Sequence, residues 1–465
     1  MNKNQLFSTA IGLTLAATSA RAELKDPLPD SLSLGGVTLY ATIDVGYAYQ
    51  SHGVPLNGQY SGGLEYQAFT LTRNFAGSVS TIAESGLEFS KIGVHVDQPV
   101  GNDWRVVGRV ETRFNPLSGQ LINNCAALAA NGGVKQGQQT ANADGSACGQ
   151  FFNAQAYAGM GKSAFGQLTI GRHDAPMNEA LWLYDPQDRA PAFSFFGYSG
   201  VVGGGGSTEA ARWNNSVRYS FQSGPLRLTA MYSNGSQDSG LLSNAYSGDV
   251  GIAIQGLSVD GVYANEKGVV NLRSSFNDPK DPLPSPGLAA YVSDDTMYSL
   301  MGRYTFELPQ KDRFTVYAGY SHIEKAHADY SGGEAQGDYP IDVDININRT
   351  LVLNVYWAGG RYEFGSGLNL VVGLYHVTQN SYTIGHGPSG TQGIGCATSG
   401  TLCSGDFDEA SIVLDYVFNK HYDLYAGVNY SEVTDGLAFG FPGEKVGTSG
   451  SETQTTFMFG GRVRF

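Results

Sequence analysis

The chain has 465 residues, 63 of them Gly, with 15 % charged residues, 12 % aromatic residues and a formal charge of −14. Ordinary domains carry about 7 % Gly and about 25 % charged residues, and disordered chains are charge-rich and aromatic-poor, so this composition is neither. Past residue 22 no run of about 18 apolar residues occurs, which excludes an α-helical membrane span, and the acidic balance excludes the basic footprint of a nucleic-acid binder.

The N-terminus presents Lys3, then an apolar stretch from Leu6 to Ala17, then Ala20-Arg21-Ala22. A charged region, a short hydrophobic region and an A-x-A site describe a secretory signal peptide. Cleavage is expected after Ala22, leaving residues 23–465 as a single domain. Loss of Lys3 and Arg21 moves the formal charge from −14 to −16.

From residue 36 onward, strand-like runs alternate with turn-rich segments. Thr38, Tyr40, Thr42 and Asp44 interleave with Val37, Leu39, Ala41, Ile43 and Val45, which is the period of two of a half-buried strand. Arg105, Arg109, Glu111 and Arg113 interleave with Trp104, Val106 and Val110 in the same manner, as do Met458, Arg462 and Arg464 with Phe457, Phe459 and Val463. The pattern predicts sixteen strands, near 36–50, 86–98, 103–115, 152–162, 165–173, 212–222, 224–234, 249–256, 257–267, 294–308, 313–326, 349–364, 368–382, 406–419, 421–433 and 453–465. The gaps alternate between long (51–85, 116–151, 174–211, 383–405, 434–452) and short (Pro99 to Asn102, 163–164, Pro309 to Asp312, Lys420).

An even number of antiparallel strands with alternating short turns and long loops is the signature of an outer-membrane barrel. In lipid every backbone N–H and C=O must be paired internally, so a sheet spans only by closing on itself. The expected fold is therefore all-β, a closed antiparallel transmembrane β-barrel. Tyr and Phe suit strand ends, where hydrocarbon meets headgroups.

Cys125 and Cys148 lie in one Gly/Ala-rich segment, Cys396 and Cys403 in another. An even count in an exported protein reads as disulfides. Zinc competes, but no His falls at ligand distance in either segment. Three connectivities are open; pairing within each segment costs least closure.

Several motifs together carry a resemblance. Gly36-Val-Thr-Leu-Tyr-Ala-Thr-Ile-Asp44, Phe152-Asn-Ala-Gln-Ala-Tyr-Ala-Gly159, Phe165-Gly-Gln-Leu-Thr-Ile-Gly-Arg172, Tyr184-Asp185-Pro186, Arg212-Trp-Asn-Asn-Ser-Val-Arg-Tyr219 and the terminal Gly461-Arg-Val-Arg-Phe465 occur in this order. The chain thereby resembles the trimeric 16-stranded general porins of Gram-negative outer membranes, in particular the beta-proteobacterial type. Ala154 stands where that family often carries Arg.

The resemblance implies a homotrimer in the outer membrane, among lipid and lipopolysaccharide, passing ions and small hydrophilic solutes by passive diffusion without catalysis. It implies a third long loop, about 174–211, folded into the lumen, with Asp174, Glu179, Asp185, Asp188 and Glu209. Alternation places Lys91, Arg105, Arg109, Arg113 and Arg218 on the facing wall. Acids opposite arginines would set a transverse field that tunes selectivity; the plainer alternative is that some arginines pair with Glu111 or Asp103 and merely fix the loop. The resemblance also gives Phe465 a role as the signal read by the outer-membrane assembly machinery.

Other signals carry less. Ala156 to Ser163 fits a relaxed phosphate-loop pattern, but the following residues read as a strand where a helix is required. Asp342, Asp344 and Asn346 imitate the start of a Ca²⁺ loop that lacks its Gly and its final Glu. A surface Ca²⁺ bridging loop acids or lipopolysaccharide is the remaining cofactor reading; otherwise none is expected. A substrate-specific channel is the competing function, with Trp182, Tyr184, Phe193, Phe195, Phe196 and Tyr198 as an aromatic slide. An outer-membrane lipase would need a Ser/His pair that no spacing supplies, and an adhesin or lectin would be soluble without detergent.

Overall fold

A computed structural model describes residues 32–51, 78–129, 142–143, 147–197, 211–235, 241, 243–274, 288–328, 335–336, 338–386, 404–435 and 451–465. The expected signal peptide, Cys396, Cys403, Tyr198, Gly203 to Gly206 and Glu209 lie outside them.

Sixteen strands close into one antiparallel barrel. They are β1 (Val37–Gln50), β2 in two pieces (Val79–Glu84 and Lys91–Gly101), β3 (Trp104–Arg113), β4 (Gln155–Lys162), β5 (Gly166–Asp174), β6 (Arg212–Ser223), β7 (Leu226–Ser233) and β8 (Ala245–Ile254). The second half comprises β9 (Leu257–Ser274), β10 (Leu288–Glu307), β11 (Arg313–His327), β12 (Leu351–Glu363), β13 (Leu368–Gln379), β14 (Gly405–Val417), β15 (Tyr422–Thr434) and β16 (Ser451–Arg464). Each pairs with its neighbours in sequence, and β16 returns to β1 with Thr42 opposite Arg464 and Gln50 opposite Thr456. At the seam Ala41 N–H donates to the Phe465 carbonyl at 2.7 Å, and Phe465 N–H to the Ala41 carbonyl at 3.1 Å.

The sixteen strands fall where alternation put them, with two extensions and one break, and a further strand, Tyr339–Arg349, pairs parallel to β10 in the expected loop 327–348. β9 and β10 run well past the membrane pattern, to Ser274 and from Leu288. The expected strand at 86–98 is instead divided: residues 85–90 leave the ladder, and β1 pairs with Val79–Glu84 along one half and Lys91–Val96 along the other.

The two faces of the sheet differ sharply. On β12 and β13, Tyr356 and Leu374 are 46 % and 50 % exposed while their neighbours Trp357 and Tyr375 are 3 % exposed. The outer face is therefore apolar and open, as a lipid-facing surface must be. Exposed aromatics band it at both ends: Trp104, Phe165, Tyr304, Phe306, Tyr416 and Phe418 beside the short turns, and Tyr47, Tyr246, Tyr263, Tyr298, Tyr356 and Tyr430 toward the long loops. Val250, Leu300, Ile412 and Leu414 fill the belt between them.

Cys125 and Cys148 form a disulfide. It ties the short helix α1 (Asn124–Ala129) into a cluster with Val270 and Leu288, at the outer ends of β9 and β10. The phosphate-loop look-alike is β4 and a tight turn that leads into the strand β5, where a phosphate loop requires a helix.

Candidate functional site

After β5 the chain forms helix α2 (Pro176–Tyr184). Pro176 opens it at a position where the missing N–H costs nothing. Met177, Ala180, Leu181 and Tyr184 repeat at helical spacing and are buried, while Glu179, Trp182 and Leu183 face away. The buried stripe joins Phe195 and Phe196 and packs on Val262, Met301, Ile323, Leu353, Trp357, Tyr375 and Phe407. All of these wall residues lie on the face opposite the exposed apolar belt. Gly359 admits this approach, since a Cβ there would overlap the Pro186 ring.

Polar bonds hold the segment along an arc of strands. The Trp357 indole N–H donates to the Tyr184 carbonyl at 2.9 Å, and the Tyr184 hydroxyl meets Ser258 Oγ at 2.7 Å. Arg227 donates to Asp260 at 2.7 Å and to the Tyr184 hydroxyl at 2.9 Å. Gln187 donates to Ser411 at 2.9 Å, and the Asn429 amide to the Ala192 carbonyl at 3.4 Å.

Asp185 is fully buried and organises the turn after α2. Its carboxylate accepts from the Tyr375 hydroxyl at 2.6 Å, the Ser194 hydroxyl at 2.6 Å, Arg189 N–H at 2.7 Å and Gln187 N–H at 3.3 Å. Burial pushes this carboxyl above its ordinary range, against the pull of the four donors. Asp185 is thus an anchor beneath the segment, not a surface acid.

The other acids also have partners. Glu179 receives both terminal nitrogens of Arg218, and Asp188 receives Arg361 from β12. Asp174 lies 3.1 Å from Arg212 Nε and accepts from Gln155 at 2.7 Å.

The basic residues are distributed more unevenly than alternation suggests. Arg105 pairs with Asp97 on the adjoining strand, near the short-turn end. Arg109 donates to Glu111 at 2.6 Å and to the Tyr40 hydroxyl at 2.7 Å, and that hydroxyl donates to Glu111 at 2.8 Å. Arg113 lays its guanidinium over the Phe89 ring at 4.5 Å, and its Nε has no acceptor among the described residues. Lys91 sits 2.7 Å from Glu88 and 5.9 Å from the Trp182 ring.

Of the aromatic slide, Tyr184, Phe193, Phe195 and Phe196 are at most 1 % exposed. They form core, leaving Trp182 partly open with Arg189 over its ring at 5.4 Å. Sequence reasoning passed over Arg227, Arg361, Trp357 and Tyr375; a signal existed only for the arginines, each a charge on the inward parity of its strand.

The motif residues also find one another. Arg172 donates to the Asn153 carbonyl at 2.7 Å and to Asn214 at 2.6 Å, joining the turn before β4 to the start of β6.

A family model described as Gram-negative porin matches residues 8–436. The structure is similar to an anion-selective porin from Comamonas acidovorans, with 14 % identity over 92 % of this chain and 99 % of that one, at a TM-score of 0.52. It is also similar to outer-membrane expressed OmpT of Vibrio cholerae, with 14 % identity over 94 % of this chain and 100 % of that one, at 0.51. A trimer form of that Vibrio cholerae protein gives 14 % identity, 93 % and 100 % coverage and 0.50. No curated protein matches.

Proposed function

We infer the role of this site from one premise: the chain belongs to the Gram-negative porin family, and it is an outer-membrane channel for small solutes. In this reading α2 and the turns to Gly197 fold into the lumen and narrow it. The passage then runs off-centre, between α2 and strands β2–β7.

One observation carries this reading. On the inner face of β9–β15, Met301, Trp357, Tyr375 and Phe407 are covered by the segment, whereas His95, Arg105, Arg109, Tyr157, Arg218 and Arg227 on β2–β7 keep solvent exposure. Water must therefore follow the β2–β7 side of the wall. Lys91, Arg109, Arg113, Arg218 and Arg227 line that side; Glu88, Glu111, Glu179 and Asp260 are each bonded to one of them, and Arg113 has no bonded carboxylate among the described residues. Charged side chains at a narrowing set selectivity while width sets the size limit, so the proposed preference is for small anionic and neutral hydrophilic solutes, moved passively and without catalysis.

The Vibrio cholerae protein of similar fold occurs in a trimer form, which supports proposing a homotrimer here, set in lipid and lipopolysaccharide. Residues 1–22 are proposed to be removed on export, and Phe465, at the closing seam, to be read by the assembly machinery. Single-channel conductance with reversal potentials in a salt gradient tests the whole reading. Conductance with an anion-to-cation permeability ratio above that of free solution is expected; folded protein that does not conduct, or conducts without preference, overturns it.

A further inference from the structure

The break in β2 is built, not frayed. Asp44, on β1 opposite the gap, is fully buried. One carboxylate oxygen accepts the N–H groups of Leu87 and Glu88, each at 2.8 Å, and the other accepts the Tyr425 hydroxyl of β15 at 2.6 Å. Its backbone N–H donates to Ser90 Oγ at 3.0 Å, and its carbonyl accepts from Ser85 N–H at 3.0 Å. One side chain thus satisfies two N–H groups that lost their ladder partners and would otherwise be left without acceptors.

The segment so held reaches the inward loop at several points. The Gly86 carbonyl accepts Ala192 N–H at 3.1 Å. Leu87 packs on the cluster that contains Phe193 and Tyr425. Phe89 carries the Arg113 guanidinium, and Lys91, the first residue of the resumed strand, stands against Trp182 of α2. Gly86 is required here, because a Cβ would overlap the Tyr425 ring.

We propose that residues 85–90 are a second inward element of the constriction and that Asp44 is its positioning residue, acting on permeant ions through Arg113 and Lys91. This rests on the constriction reading above. Without the Asp44 carboxylate the segment loses its two N–H acceptors, Phe89 no longer fixes Arg113, and the cationic wall loses its geometry though no pore-lining charge has been removed.

The test compares wild type with Asp44→Ala, Asp44→Asn, Tyr425→Phe and Gly86→Ala in planar bilayers, after confirming strand content by circular dichroism. Asp44→Ala is expected to lower the anion-to-cation permeability ratio at least about twofold and to add conductance substates. Asp44→Asn keeps an amide oxygen for both N–H groups and should restore most of the ratio, which a general loss of stability would not do. Tyr425→Phe and Gly86→Ala should shift the ratio in the same direction, and they carry the test if Asp44→Ala does not fold. A selective wild type with an unchanged ratio in the folded variants overturns this proposal alone; a wild type without preference overturns the constriction reading with it.

Discussion

Arg218 on β6 and Glu179 on α2 meet through two parallel N–H···O bonds, each terminal guanidinium nitrogen on its own carboxylate oxygen. The pair bridges a wall strand and helix α2 on the face of the sheet opposite the exposed apolar belt. Such fork-to-fork pairing fixes direction as well as distance.

Breaking that bridge should loosen α2 on its free side. Arg218→Ala and Glu179→Ala should each raise open-channel noise, and a double-mutant cycle on unfolding in detergent should give a coupling of about 1 kcal/mol, since the pair is partly solvated. Exchanging the two residues should quieten the channel again. Additive effects in the cycle would remove the bridge as a structural contact.

The arginines of β3 should differ in weight although they share a face. Neutralising Arg105, Arg109 and Arg113 together should move the reversal potential toward cations. Among single changes, Arg113→Gln should shift it most, because no carboxylate is bonded to that side chain among the described residues, and Arg105→Gln least, because Asp97 already answers it. An equal shift from all three would contradict the placement.

Asp185→Ala leaves two hydroxyls and two N–H groups without their acceptor in a buried site, a local loss of about 2–4 kcal/mol. Limited trypsin digestion should then cut after Arg189 while the barrel stays resistant. Continued protection of that bond would show that the segment's other contacts hold it without Asp185.

Deleting Phe465 removes both backbone bonds to Ala41 at the seam. Folded yield should fall, in vitro as well as in cells, while the conductance of what does fold stays unchanged. A defect confined to cells would assign the residue wholly to recognition by the assembly machinery.

Reducing the Cys125–Cys148 bond, or replacing Cys125 with Ser, releases a loop of sequence separation 23. Loop closure of that size is worth about 3 kcal/mol in the chain-entropy account. Protease nicking between 116 and 151 should accelerate without a change in ion selectivity.

The barrel was legible because lipid on one side and water on the other impose a strict period of two, readable on each strand alone. The β2 break was not. Leu87 and Phe89 alternate with Glu88 and Ser90, so the segment imitates the strand it interrupts, and the residue that holds it lies more than 40 positions earlier. The pairing of Arg109 with Glu111 could be anticipated from two charges on one face of one strand. Asp185 could not be recognised as an anchor, since its partner Tyr375 is 190 residues away and nothing near either one marks the contact.

The bonds from Gln187 to Ser411 and from Ala192 to Asn429 span 224 and 237 residues. Ser411 and Asn429 lie on β14 and β15, so neither bond can form until those two strands stand in the wall. With the segment seated inward as proposed, the wall would stand briefly with its bore unobstructed, and docking of the segment would be a late step of maturation. During that interval the wall would admit cargo that the finished protein rejects, a leak that a cell could limit only by hastening the final seating.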